Sequence, residues 1–193
     1  MNYLDQSLED FLDSVASSEP TPGGGAVAAV AVALAAGLAG MAARLSAGHL
    51  AAGLAEQAEH LRQRVAPLAQ EDANAYVRFL ATYRSPENGD DPKNRRERVR
   101  TALSGAIDVP LAIAETGAEV AEVAALLARK GNPNLKGDAI AAALLAEAGV
   151  RAAAELVKIN AMTGELPDDR SGHVGELAAR AIWAVREAVE GGG

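Results

Sequence analysis

The apolar positions of the chain fall into long blocks with helical spacing. Leu8, Phe11, Leu12 and Val15 recur at i, i+3, i+4 and i+7 behind Ser7, which can cap the helix they predict. The prolines and glycines of "SSEPTPGGG" end it. A second helix is expected from Gly24 or Gly25 to about Ser46, and from Ala26 to Ala43 it has no polar side chain. A helix apolar on every side must be covered on every side, so this one belongs at the centre of the fold. A third helix is expected from about Leu50 to Arg84, bent at Pro67. "RSPENGDDP" (Arg84 to Pro92) carries it into a polar loop. A fourth helix runs from about Lys93 to Lys130, interrupted by Pro110, and "KGNPNLKGD" separates it from a fifth over roughly Asp138 to Met162. After "TGELPDDRSG" a last helix spans about His173 to Val189, and the "EGGG" tail is expected to fray. No segment keeps a two-residue alternation. The pattern predicts an all-α bundle of about six helices in a single domain, residues 1–193, some of them long and Pro-kinked, around a central Ala/Gly-rich helix.

Composition sharpens this picture. Almost half of the 193 residues are apolar (49%) while aromatics make up 3%, so Ala, Val and Leu carry the core and favour close helix packing. Pairs such as Ala33 with Gly37 and Ala36 with Gly40 let neighbouring backbones approach. The central segment reaches the lower limit for a membrane span. Ala and Gly dominate it where insertion needs Leu, Ile and Phe, so it reads as a core helix, with no membrane partner. Long Ala-faced helices leave apolar stripes that a second copy can cover, which predicts a homodimer. The formal charge of −8 argues against a nucleic-acid partner. The most basic stretch, "KNRRERVR" (Lys93 to Arg100), reads as a solvated helix face. The absence of cysteine excludes disulfides and thiolate chemistry. The acidic, polar N-terminus is unlike a secretory signal, and a cytoplasmic location is expected.

Four spots carry candidate chemistry. Gly23, Gly24 and Gly25 can take backbone angles closed to other residues, and the free amides of a helix start suit a phosphate or carboxylate. They serve equally well as a tight helix–helix turn. In "EDANAYVRF", Asp72, Tyr76 and Phe79 share a helical face at i, i+4 and i+7. An acid beside aromatic surface can hold a cationic ring or act as a base, and a solvated face with one aromatic core residue has the same spacing. In "GNPNLKGDA", Asn132, Asn134 and Asp138 cluster at a helix start, where Asp138 can cap or stand as a fixed anion. Asn160, in "LVKIN" near the far end of that helix, needs a partner, either backbone or ligand. His49, His60 and His173 lack metal-ligand spacing and read as structural or surface residues.

Taken in this order, the four spots resemble one family. The run from Phe11 to Ser46, with "PTPGGG" at its turn, is similar to the opening of the cyclodeaminase/methenyltetrahydrofolate cyclohydrolase family, which includes the C-terminal domain of formiminotransferase-cyclodeaminase. "EDANAYVRFLATYR" with "VPLAIAE" is similar to its middle section, and "GNPNLKGDAIAAALLAEAGVRAAAELVKIN" to its C-terminal section, so the resemblance covers about Ser7 to Met162. It implies an all-helical homodimer acting without a metal on a tetrahydrofolate derivative as substrate. The reaction is either hydrolysis of 5,10-methenyltetrahydrofolate to 10-formyltetrahydrofolate or cyclodeamination of 5-formiminotetrahydrofolate. Both pass through a tetrahedral centre beside a delocalised cation. On this reading Asp72 and Asp138 are the catalytic carboxylates, stabilising the cation or orienting water. Tyr76, Asn132 and Asn160 bind the flat pterin, and Gly23, Gly24 and Gly25, with Lys136, receive the glutamate tail or an oxyanion. The chain departs from the family pattern at three places. "AGHLAAG" (Ala47 to Gly53) stands where lysines are common, Gly137 precedes Asp138 where Ser is usual, and Leu156 stands where Asn is frequent. A non-catalytic folate or small-anion binder, or a helical dimerisation module, is the alternative on the same scaffold.

Overall fold

The computed structural model describes residues 2–84, 92–166 and 169–191. The expected polar loop lies, except for its ends, outside the described residues, as do the last two glycines of the tail. The described residues form seven α-helices: α1 Leu8–Ala16, α2 Gly24–Arg44, α3 His49–Val65, α4 Leu68–Arg84, α5 Pro92–Lys130, α6 Lys136–Thr163 and α7 Asp169–Glu190. Short 3₁₀ turns at Tyr3–Asp5 and Pro133–Leu135 complete them, and no strand is present among the described residues.

The segment expected as one bent helix is two. Pro67 has no N–H to give back along the helix, and its ring crowds the preceding turn. α3 therefore stops, and the amides of Gln70 and Glu71 start α4 on the Pro67 carbonyl, at 3.1 and 3.2 Å. By contrast α5 runs unbroken through Pro110, which is buried. α7 begins about one turn earlier than the apolar pattern predicts. Arg170 donates to the Ser104 carbonyl at 3.1 Å and pairs with Asp108 at 3.0 Å, which draws polar residues of the expected loop into the helix.

α2 packs among α3, α4, α5 and α6. It runs antiparallel to α6: Gly24 faces Leu156, Val32 meets Gly149, and Ser46, just past its end, meets Asn132. The close approach depends on missing side chains. A Cβ on Gly149 would stand 2.5 Å from Val32 Cγ2, and one on Gly117 of α5 would stand 2.6 Å from Val150 Cγ2. α2 is long and apolar enough to cross a membrane by composition, but more than half of its most apolar stretch is buried by these neighbours. α7 runs parallel to α5. His173 with Glu115, Arg180 with Glu122, and Glu187 with Arg129 repeat at steps of seven residues on both helices. Exposed pairs contribute about 0–1 kcal/mol each, so they set the register more than the stability. α7 also carries the chain's one tryptophan, Trp183, on its exposed side.

Two glycine substitutions test this packing with opposite signs. Gly149→Ala is expected to lower stability by about 1–2 kcal/mol, because overpacking against Val32 outweighs a gain of about 1 kcal/mol in helix propensity. Gly53→Ala in α3, where nothing stands within 4 Å of the added Cβ, is expected to raise it by up to about 1 kcal/mol. Chemical denaturation of both variants checks the pair, and shifts of the same sign would contradict the α2–α6 contact.

Candidate functional site

The first turn of α2 has no cap of its own. Its N-cap is Gly23, which makes no side-chain hydrogen bond, so the first amides need an acceptor from elsewhere. α4 supplies one. The carboxylate of Asp72 lies against Gly25 and takes a hydrogen bond from the Ala26 N–H. A Cβ on Gly25 would fall inside that carboxylate, so glycine is required there for space. The expectation that this run supplies unusual backbone angles is corrected. Gly23 has φ −102° and ψ −165°, open to any residue, and among the described glycines only Gly48 has a positive φ, at 95°.

The position perturbs the acid. Burial pushes the Asp72 carboxyl above its usual pKa, and the Ala26 hydrogen bond pulls it part of the way back. Asp72 is thus a carboxylate with a stronger hold on its proton than a surface aspartate has.

A cavity of about 280 Å³ opens beside it. α2 contributes Gly23, Gly24 and Gly25, and α4 contributes Asp72, Tyr76 and Phe79. The far wall is Leu103 and Pro110 of α5 with Leu156 and Asn160 of α6. Pro110 explains Asn160. A proline in a helix leaves the carbonyl four residues back without its donor, and here that carbonyl is Ala106. Asn160 Nδ2 donates to the Ala106 oxygen at 3.4 Å. Its Oδ1 takes no hydrogen bond among the described residues.

Gly23, Gly24, Gly25, Asp72, Tyr76 and Asn160 therefore line one cavity, as the sequence suggested. Asn132, Lys136 and Asp138 do not. Asn132 donates its N–H to Ser46 Oγ at 2.8 Å and its Nδ2 to the Leu45 carbonyl at 2.9 Å, while its Oδ1 accepts the Asn134 N–H at 3.0 Å. It ties down the C-terminal end of α2, 21 residues from the cavity, which is roughly 30 Å of helix. Lys136 opens α6 at that same end. Asp138 sits in the first turn of α6 without capping it, since Leu135 is the N-cap and makes no side-chain bond. Within one chain, the two candidate carboxylates do not share a cavity. Sequence reasoning left out Leu103, Ala106 and Pro110. Pro110 carried a usable signal, because a proline inside a long helix strands a carbonyl that some donor must serve. Leu103 carried none, since it resembles any core residue.

The family model described as formiminotransferase-cyclodeaminase matches residues 7–170. The chain belongs to this family. It is similar to the methenyltetrahydrofolate cyclohydrolase of Methylorubrum extorquens, 39% identical over 165 residues, 81% of this chain and 79% of that protein. It is 32% identical over 189 residues to the formimidoyltransferase-cyclodeaminase of Rattus norvegicus, covering 89% of this chain and 34% of the relative, so it spans about a third of that longer protein. The crystal structure of formiminotetrahydrofolate cyclodeaminase from Thermotoga maritima matches it with a TM-score of 0.81 at 27% identity, over 97% of this chain and 98% of that one. The all-α bundle is thus shared across the formiminotransferase-cyclodeaminase family, and these relatives act at a one-carbon unit on tetrahydrofolate.

The buried acid has a signature in stability. The folded chain holds the Asp72 proton more tightly than the unfolded chain does. Ionising this group therefore weakens the fold as pH rises above the ordinary aspartate pKa of about 3.9. Asp72→Asn keeps an acceptor for Ala26 and removes the charge. The variant is expected to equal or exceed wild-type stability near pH 7, with the difference closing below about pH 4. Denaturation midpoints across that range check this, and a wild type more stable than the variant at neutral pH would contradict it.

Proposed function

We propose that this chain hydrolyses 5,10-methenyltetrahydrofolate to 10-formyltetrahydrofolate in the Asp72 cavity. One observation carries the reading: a half-buried carboxylate with a raised pKa stands in a small cavity walled by two aromatic rings and an asparagine. The methenyl bridge is an amidinium cation, and a negative group in poorly hydrated surroundings favours it. Asp72 also has the right character for a base. Water attacks the bridging carbon, and Asp72 takes the proton that leaves. The adduct hydroxyl then loses its proton to solvent as the carbon–N5 bond breaks. N5 takes the proton held by Asp72, and the carbon stays on N10 as the formyl group. Tyr76 and Phe79 offer flat surface to the pterin, and the Asn160 carboxamide offers it a hydrogen-bonding edge. The similarity to a cyclohydrolase over most of both chains supports hydrolysis. The similarity to a solved cyclodeaminase supports a second reaction at the same cation. In that reaction N10 closes on the formimino carbon and ammonia leaves.

We also infer that the chain forms a homodimer. Val27, Ala31, Leu34, Leu38, Met41 and Leu45 follow the 4-3-4-3-4 spacing of a helical seam on α2. Val27, Leu34 and Leu45 are 39, 61 and 59% exposed, so the seam lacks a cover within the chain. Leu34 is its midpoint. Two copies crossing antiparallel there would bring the Asn132, Lys136 and Asp138 end of one chain towards the Asp72 cavity of the other.

The hydrolysis is followed by loss of the near-ultraviolet absorbance of 5,10-methenyltetrahydrofolate. Asp72→Asn is expected to lower kcat by about 10²–10⁴-fold and to abolish an acid limb that lies above the ordinary carboxylate range. No acceleration over buffer by folded wild type would overturn the hydrolysis, and ammonia release from 5-formiminotetrahydrofolate would then identify the cyclodeaminase. For the assembly, Leu34→Glu is expected to halve the mass seen in sedimentation. A monomeric wild type would remove the dimer.

A further inference from the structure

The Asp72 cavity, about 280 Å³, is at the lower edge of the range of about 300–1,000 Å³ typical of small-molecule pockets. It has room for the bicyclic head of a folate, so the benzoyl ring and glutamate tail must run outside it. Three of its walls continue in one direction. One turn on, α4 reaches Tyr83, α5 reaches Val99 and Arg100, and α6 reaches Thr163, and these residues line a second groove of about 710 Å³. An aromatic track joins the two spaces. The Tyr76 and Phe79 ring centroids are 6.1 Å apart, and those of Phe79 and Tyr83 are 5.8 Å apart. The chain has two Phe, three Tyr and one Trp, so this track holds half of its aromatic rings.

The charge of the groove runs against that of the chain. Lys93, Arg95, Arg96 and Arg100 line it against Glu97 and Glu165, in a protein with a formal charge of −8. Arg95, Arg96 and Arg100 form no ion pair among the described residues. The basic stretch read above as a solvated face is solvated, and it also flanks the route out of the cavity. The Ala47–Gly53 segment, where the family pattern has lysines, follows the other end of α2, far from this exit, and holds none.

We propose that this groove receives the γ-linked glutamate tail of a polyglutamylated folate, with the benzoyl ring laid along Phe79 and Tyr83. The inference rests on the folate reading above. Each added glutamate brings one more carboxylate, and a guanidinium fork matches a carboxylate with paired hydrogen bonds. Single exposed ion pairs are weak, so the gain builds with tail length and fades with salt.

The test compares the monoglutamate and pentaglutamate of 5,10-methenyltetrahydrofolate on wild type and on a variant carrying Arg95→Gln, Arg96→Gln and Arg100→Gln. Calorimetric binding of 5-formyltetrahydrofolate with one and with five glutamates runs beside it. In wild type at low salt, the pentaglutamate KM and Kd are expected to lie about tenfold below the monoglutamate values. The triple variant is expected to lose that ratio, as is wild type at high salt. Should the triple variant not fold, Glu97→Gln with Glu165→Gln is expected to enlarge the ratio. Equal treatment of the two folates by wild type, or an unchanged ratio in the variants, overturns the proposal. Arginine-dependent binding of the long tail without turnover supports the groove and removes the hydrolysis. Failure to bind either folate removes both.

Discussion

Because α2 begins with three glycines and no capping side chain, its first amides depend on a carboxylate brought from another helix. Asp72 fills that role only because Gly25 leaves the space. The contact locks the start of α2 to the middle of α4, and the Asp72 cavity is what remains open beside it. One group thus serves two ends. It completes the hydrogen bonding of a buried helix start, and it sits ready for chemistry with its proton affinity raised. A solvated aspartate could do the first task on any surface helix, but burial is what gives it the second.

The opposite wall repeats the logic with a different pair. Pro110 strands the Ala106 carbonyl, and Asn160 comes across from α6 to serve it. A polar side chain is thereby held at the edge of an apolar space by a defect in its neighbour. Both walls depend on the close packing of α2, α5 and α6 around Val32, where Gly117 and Gly149 admit backbones that larger residues would separate. The core and the site are therefore one arrangement.

Much of this was legible in the sequence. Helix positions followed from apolar spacing, and the face shared by Asp72 and Tyr76 followed from four-residue separation. The two prolines show where local reading stops. Pro67 is exposed and ends its helix, while Pro110 is buried and does not. Packing on all sides holds α5 together, and a donor from α6 mends the broken ladder, neither of which is visible in the local sequence. The glycine run was legible as a site but for the wrong reason, since space and not backbone angle makes Gly25 necessary. Asn132, Lys136 and Asp138 were grouped with the others because helix starts look alike in sequence. Which end of the bundle they occupy depends on the antiparallel course of α2 and α6.

The placement of Trp183 has a practical consequence. It stands on α7 beside Ala125 and Arg129 of α5, nineteen residues beyond Ala106 at the cavity wall, or roughly 28 Å along the helix. Its indole emission will be blind to whatever enters the cavity. Two of the three tyrosines, Tyr76 and Tyr83, stand where a bound aromatic ring would quench them. The molecule therefore carries its own reporter and its own reference, separable by excitation wavelength without any label.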